Sequence, residues 1–252
     1  MEIATKNELL NKFQIDGFCL PSNKLSRNTL LKIKKELTKI EKFYTVKFLS
    51  QYSHVVMNDT RFMIHDLMFE NCPTIHELIH SGVAVKSLKE WTGDALICIS
   101  CTYASCKPGY PGIPMHTDYD PYSNNLYRPS NPVAIRILYY LDDLTPDKAP
   151  LWVLPRSHNS LNKSLRPSTE FVHPPKGYIE VTRKAGDLVI LNTKVFHGVG
   201  PNKTKMSRRV LAMTYRPRWA APLHPVTEYD AIKIKNINSM LQPLFSNLNT
   251  DN

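Results

Sequence analysis

The stretch Val133-Ala134-Ile135-Arg136-Ile137-Leu138-Tyr139-Tyr140-Leu141 decides the fold class. Large apolar residues occupy every second position and alternate with a mixed set, which is the two-residue period of a β-strand. Downstream, turn residues separate further short apolar runs, which predict strands at 150–155, 178–181, 188–192 and 209–215. Many short strands with no helices between them favour a sandwich or a barrel.

The chain before this β region has a different pattern. Apolar residues recur with helical spacing at 7–13 and again after Ser26, which is a suitable N-cap residue. A buried strand is predicted at 95–103. We therefore expect one domain over 1–252, with a largely helical part at 1–92, a β core at 95–220 and a C-terminal tail at 221–252.

Composition narrows the possible partners. The formal net charge is +10 and the pI is about 9.3, which is compatible with nucleic-acid binding. The basic residues are scattered and form no nucleic-acid motif, however. A solvated surface, or a site that attracts small anions, is the favoured interpretation.

Cysteine usage and the N-terminus indicate the compartment. The five cysteines are an odd number, and Cys98-x-x-Cys101 has no partner pair, so we interpret them as packed thiols. The first residues contain no apolar signal region, and no stretch is apolar enough to cross a bilayer. We expect a cytoplasmic protein that binds neither membrane nor nucleic acid.

His116-Thr117-Asp118 carries the chemistry. In an extended strand, side chains two positions apart point to the same face, so His116 and Asp118 could hold one metal ion. His197, just after the apolar run 188–191, is the best candidate for a third ligand. Two histidines and one carboxylate form the facial triad of non-heme Fe(II) oxygenases, which leaves coordination positions open.

A second metal motif competes with this assignment. His76-Glu77-Leu78-Ile79-His80 matches the H-E-x-x-H pattern of zinc proteases, in which the glutamate is the general base. No third zinc ligand follows at a suitable spacing, and Glu90 is the only downstream glutamate near it. We therefore favour an amphipathic helix without metal, and a zinc hydrolase remains the alternative enzyme.

Several motifs together resemble the phytanoyl-CoA dioxygenase family of Fe(II)/2-oxoglutarate oxygenases. The matching residues are Asp16-Gly17-Phe18, His116-Thr117-Asp118, Leu151–His158, Ala185-Gly186-Asp187, His197–Asn202 and Arg208. The resemblance implies a mainly β fold with flanking α-helices, namely a double-stranded β-helix (jelly roll, cupin-like). It also implies Fe(II) held by His116, Asp118 and His197, with 2-oxoglutarate and molecular oxygen as cosubstrates.

The same resemblance assigns the cosubstrate contacts. Arg208 is expected to bind the distal carboxylate of 2-oxoglutarate, because a guanidinium pairs with a carboxylate through two hydrogen bonds. Alternation places Arg208 and Arg209 on opposite strand faces. Tyr103 is expected to add a further contact. Val199 stands where relatives often carry a small hydroxyl residue that helps to hold the cosubstrate.

The reaction and substrate are less constrained. Related halogenases replace the carboxylate ligand with a small residue, so Asp118 favours hydroxylation or a similar oxidation. The segment 119–131 resembles a substrate loop, and its candidate substrate-binding residues are Tyr119, Tyr122, Tyr127 and Arg128. We expect a small polar or anionic substrate. A non-catalytic, cupin-like binding protein is the alternative that is not an enzyme.

Overall fold

A computed structural model describes residues 6–46, 54–118, 134–159, 173–220 and 231–245. The α-helices within these ranges are α1 Lys6–Asp16, α2 Arg27–Val46, α3 Pro73–Ser81, α4 Val83–Thr92 and α5 Ala231–Asn236. The strands within the same ranges are β1 Phe18–Cys19, β2 Val55–Met57, β3 Arg61–Ile64, β4 Leu96–Cys106, β5 Ile113–His116, β6 Ile135–Tyr140, β7 Leu151–Val153, β8 Ile179–Val181, β9 Leu188–Asn192, β10 His197–Val199 and β11 Arg208–Pro217.

The strands form two antiparallel sheets, and the expected mainly β jelly roll is confirmed. The larger sheet has seven strands in the order β1-β9-β6-β11-β4-β3-β2, and the smaller has four in the order β5-β10-β7-β8. The part expected to be largely helical, 1–92, also supplies β1, β2 and β3 to the larger sheet. β2 and β3 are three and four residues long, which is too short for a clear two-residue period to identify them.

The larger sheet has two differently packed faces. On β11, Leu211, Met213 and Tyr215 belong to the core cluster that contains Ile33 of α2 and Ile79 of α3. The alternate residues of β11 belong to a second cluster that includes Tyr140 of the larger sheet and Val153 of the smaller one. The first face is therefore covered by helices, and the second faces the interior between the two sheets.

Local contacts fix the helices that cover the outer face. Ser26 Oγ accepts the Thr29 backbone N–H at 3.0 Å, as expected of an N-cap residue. At the start of α3, the Glu36 carboxylate of α2 accepts the backbone N–H groups of Thr74 at 3.0 Å and Ile75 at 3.3 Å. A carboxylate at a helix N-terminus satisfies free N–H groups and complements the helix dipole.

The described part of the C-terminal tail, residues 231–245, contains α5 and a short 3₁₀ turn at Gln242–Leu244. The other residues of the tail expected over 221–252 lie outside the described residues. None of the helices in the described ranges combines the length and the apolar character needed to span a membrane.

Candidate metal and cosubstrate site

Two neighbouring strands of the smaller sheet bring the two histidines together. β5 and β10 are antiparallel, and their register places His116 directly opposite His197, with ring centroids 4.5 Å apart. Asp118 follows β5, where its backbone N–H donates to the Thr193 carbonyl at 3.0 Å. One ligand atom from each of the three residues lies within 4.8 Å of the other two.

Both imidazoles are oriented in the same way. Nδ1 of His116 bonds the Pro114 carbonyl at 2.9 Å, and Nδ1 of His197 bonds the Val195 carbonyl at 3.0 Å. A carbonyl only accepts, so Nδ1 donates and the Nε2 lone pair is left for a metal. Burial lowers the pKa of His197 to about 4, against the opposing charge of Asp118, so its ring stays neutral.

The two carboxylate oxygens of Asp118 have different neighbours. Its Oδ2 lies 3.8 Å from His197 Nε2, and its Oδ1 accepts Arg136 Nη1 at 2.6 Å. The side chain is only 14% exposed. Burial raises the pKa of Asp118, but electrostatic interactions, above all with the charge of Arg136, outweigh it and the pKa is lowered. The group is therefore an anion with one oxygen directed at the centre.

These observations fit a divalent metal. The donor set is two imidazole nitrogens and one carboxylate on one side of a common point, which suits iron(II) and leaves other positions open. Within the described ranges, this is the one group of three or more His, Cys, Asp or Glu side chains close enough to share an ion. The sequence prediction for His116, Asp118 and His197 thus has a matching geometry.

A buried cation lies on the inner face of the larger sheet. Arg208 is 3% exposed, its Nε has no hydrogen-bond partner in the described residues, and its guanidinium carbon lies 5.1 Å from the ring centre of Tyr140. Its Nη1 lies 4.0 Å from the Cys106 sulfur. No carboxylate pairs with it in the part of the chain that the structure describes. A buried charge without a partner is costly, so this site fits the carboxylate of 2-oxoglutarate.

The adjacent arginine, Arg209, forms a structural ion pair. Arg209 turns to the helix-covered face, where its backbone N–H, Nε and Nη2 donate to the Asp142 carboxylate at 3.1, 2.8 and 2.7 Å. Lys34 of α2 lies 3.2 Å from the same carboxylate. The two arginines therefore lie on opposite faces, as strand alternation predicts.

Three further polar residues near the site were not singled out from the sequence. Arg136 extends from β6 to Asp118, and its Nε also donates to Thr214 Oγ1 at 3.1 Å. Arg61 of β3 lies opposite Cys106 in register, and Tyr140 of β6 lies opposite Val210. The alternation of Arg136 and Tyr140 within β6 was visible in the sequence, but Arg61 lies on a strand that was not predicted, and the register that brings the three residues to the site was not visible.

Tyr103 requires a correction. It lies on β4 but turns to the helix-covered face, where its hydroxyl donates to Glu41 of α2 at 2.8 Å and its ring lies 6.0 Å from Phe62. Thr102 and Ala104, on the other face of β4, pair with Ala212 and Val210. The structure therefore does not bring Tyr103 to the metal and Arg208, and a packing role replaces the expected cosubstrate contact.

The H-E-x-x-H motif lies on helix α3, and its residues are not arranged as metal ligands. His76 is 7% exposed, and burial lowers its pKa. Neither it nor His80 belongs to a cluster of potential ligands within the described residues, and Glu90 lies on the separate helix α4. The candidate substrate residues Tyr119, Tyr122, Tyr127 and Arg128 lie outside the described residues.

The jelly roll and its two-histidine, one-aspartate centre define the class of Fe(II)/2-oxoglutarate-dependent oxygenases. A sequence model of the phytanoyl-CoA dioxygenase (PhyH) family matches residues 13–210, and the chain belongs to that family. It is therefore an oxygenase that uses iron and 2-oxoglutarate. No curated protein sequence matches the chain at a significant level.

Solved structures share the fold. AviO1 from Streptomyces viridochromogenes Tue57 superposes with a TM-score of 0.70 at 19% identity, covering 88% of this chain and 100% of that chain. EctD from S. alaskensis with bound Fe gives 0.67 at 16% identity, covering 88% and 79%. HygX from Streptomyces hygroscopicus with nickel and 2-oxoglutarate bound gives 0.66 at 15% identity, covering 89% and 95%.

Proposed function

We propose that this oxygenase hydroxylates a small polar metabolite that carries an anionic group, in a single domain that operates in the cytoplasm. His116, Asp118 and His197 would hold Fe(II), and Arg208 would bind the distal carboxylate of 2-oxoglutarate. When bound, iron and 2-oxoglutarate supply an oxidant for a substrate C–H bond as molecular oxygen is consumed and succinate and carbon dioxide are released. The five buried free thiols fit a reducing compartment.

The placement of Arg136 is the observation that supports an anionic substrate. Its Nη1 contacts Asp118 and its Nε contacts Thr214, but its Nη2 has no partner within the described residues. The guanidinium is half-buried, at 24% side-chain exposure. The Nη2 edge of Arg136 is therefore free, and only the Asp118 carboxylate lies between this guanidinium and the metal position. Such an edge is suited to a carboxylate or phosphate group of the substrate.

Electrostatic balance supports the same substrate class. Asp118 and a dianionic 2-oxoglutarate offset most of the positive charge of iron(II), Arg136 and Arg208, and some positive charge remains. A partly buried site with residual positive charge attracts anions. The inner face also offers neutral polar groups beside Arg136: Thr214 pairs with Ser100, and Thr102 Oγ1 lies 3.3 Å from His65 Nδ1.

Succinate formation and metal binding test the oxygenase assignment. The wild-type protein with Fe(II) should convert 2-oxoglutarate to succinate, and His116→Ala should abolish both turnover and tight iron binding while the fold is retained. The matched control is His80→Ala, which removes a histidine outside the site. Full activity in His116→Ala would refute the ligand assignment, and zinc-dependent hydrolysis lost in His80→Ala would favour the alternative enzyme.

Matched substrate pairs test the anionic group. Candidate carboxylic acids or phosphates are compared with their neutral amides or alcohols for stimulated succinate release. The wild type should favour the anion, and Arg136→Lys should keep part of that preference because the charge remains. If neutral members of the pairs are preferred by the wild type, this substrate class is wrong even though the enzyme class stands.

A further inference from the structure

Three buried polar atoms without partners converge on one end of the inner face of the larger sheet. They are Arg208 Nε, Arg61 Nε and the Tyr140 hydroxyl, none of which has a hydrogen bond within the described residues. Buried polar groups in native proteins are normally satisfied. Three orphan donors in one place therefore indicate that a ligand rich in acceptor atoms is held there.

The strand register explains why they meet. β3, β4 and β11 are neighbours, and Cys106 of β4 lies opposite both Arg61 and Arg208. Arg61 and Met63 alternate with Phe62 and Ile64, which belong to the helix-covered core. Arg61 therefore faces inward, separated from Arg208 by the width of a single strand, about 4.8 Å on each side.

Aromatic rings line the space between the two cations. The Tyr110 ring centre lies 5.9 Å from the Arg61 guanidinium, and Tyr140 carries Arg208 on its face at 5.1 Å. Burial raises the pKa of Tyr110 and of Tyr140, so both phenols remain protonated. Tyr140 is therefore a hydrogen-bond donor, and the pocket presents donors without an acidic acceptor in the described residues.

We propose that Arg61 and Tyr140 join Arg208 in a clamp for the distal carboxylate of 2-oxoglutarate. The carboxylate offers about four lone-pair sites, which is enough for a guanidinium on each side and a phenol. The inference rests on the proposed role of Arg208. It adds that the pocket uses two arginines and therefore selects a dicarboxylate strongly over a 2-oxo acid that lacks the distal carboxylate.

A second consequence concerns the protein without its cosubstrate. The guanidinium groups of Arg61 and Arg208, on the two strands that flank β4, repel each other while no anion lies between them. Removing one of them should therefore stabilise the empty protein, whereas losing an ordinary packing residue should destabilise it. Arg61→Met keeps most of the apolar length of the side chain and removes only the charge and the donors.

The experiment uses the full chain loaded with Mn(II) in place of iron, and measures ligand binding by calorimetry and thermal unfolding without turnover. The probes are 2-oxoglutarate and 2-oxopentanoate, which lacks the distal carboxylate. Arg61→Met should weaken 2-oxoglutarate binding by about tenfold or more and leave 2-oxopentanoate nearly unchanged. Its empty form should melt at or above the wild-type temperature, and its gain in melting temperature on adding 2-oxoglutarate should shrink.

Companion variants keep the test decisive. Arg61→Lys should recover part of the affinity, Tyr140→Phe should lose several-fold, and Arg209→Met, on the opposite face, should bind like the wild type. If Arg61→Met binds 2-oxoglutarate as the wild type does, the clamp is refuted while Arg208 keeps its role. If Arg61→Met does not fold, wild-type binding by Arg61→Lys refutes the clamp in the same way. If the wild type itself fails to bind 2-oxoglutarate, the proposed function falls and the clamp falls with it.

Discussion

Replacing Arg208 with alanine should weaken 2-oxoglutarate binding by well over tenfold. The side chain is 3% exposed, and no acidic group pairs with it in the described ranges, so its charge is available to a ligand in a desolvated place. Truncating one partner of a buried charge pair costs about 2–5 kcal/mol. At about 1.4 kcal/mol per tenfold, the low end of that range corresponds to roughly a 30-fold loss.

The assay is calorimetric titration of 2-oxoglutarate into Mn(II)-loaded protein, with Arg209→Ala as the matched control. Arg209 is the neighbouring residue of the same type, but its donors are committed to Asp142 on the other face. Its removal should change the affinity by less than about threefold. Equal losses in the two variants would contradict the facing of the two arginines and the assignment of Arg208.

Three further predictions concern the scaffold and the predicted substrate loop. His76→Ala and Glu77→Gln should leave succinate formation within a few-fold of wild type, since neither residue belongs to a metal cluster of the described chain. Burial opposes ionisation of Asp142, but hydrogen bonds and charge from Arg209 and Lys34 outweigh it and lower its pKa. A lowered pKa contributes stability above the unfolded value of about 3.9, lost as pH falls through the folded value. In denaturant unfolding, Asp142→Asn should therefore be less stable than the wild type at pH 7. The difference in their free energies of unfolding should disappear below about pH 4, and a difference that does not change with pH would contradict the ion pair. Arg128→Ala, in the segment 119–131 that the sequence predicts to be a substrate loop, should raise the apparent KM for an anionic substrate, less so at high salt. Kinetics with a salt-independent KM in both proteins would refute an electrostatic role of Arg128 in substrate binding.

The fold was predictable where periodicity extends over several residues. β4, β6, β9 and β11 each show four or more residues of apolar alternation or continuous apolar sequence, and these strands form the centre of the larger sheet. β2 is three residues long and β1 is two. Such short elements are held by pairing with neighbours rather than by a pattern of their own, so the number of strands in residues 1–92 could not be deduced.

The candidate metal ligands were predictable in part from local rules. Asp118 follows His116 by two residues, which predicts one shared face. His197 was a candidate because it comes soon after a continuous apolar run, but its position opposite His116 depends on the pairing of β5 with β10. Arg61 and Arg136 depend completely on strand pairing. Their inward direction follows from alternation, but their neighbours follow from pairings between strands more than forty residues apart in the chain, which no local pattern encodes.

The predictions for Tyr103 and Arg208 differ in what covers the strand face on which each residue lies. This difference explains why Tyr103 was placed on the wrong face. Both residues were assigned to the correct strand, but a strand has two faces and each single step along it exchanges them. At the alternate positions that follow Arg208, the small residues Val210 and Ala212 leave room for a ligand on that face. For Tyr103 the comparable neighbours are Cys101 and Ser105, which are small on a face that is filled by the core and by Glu41 of helix α2. Small alternate residues therefore mark an open face only when no helix covers it, and the helix that covers this one is sixty residues away in the chain.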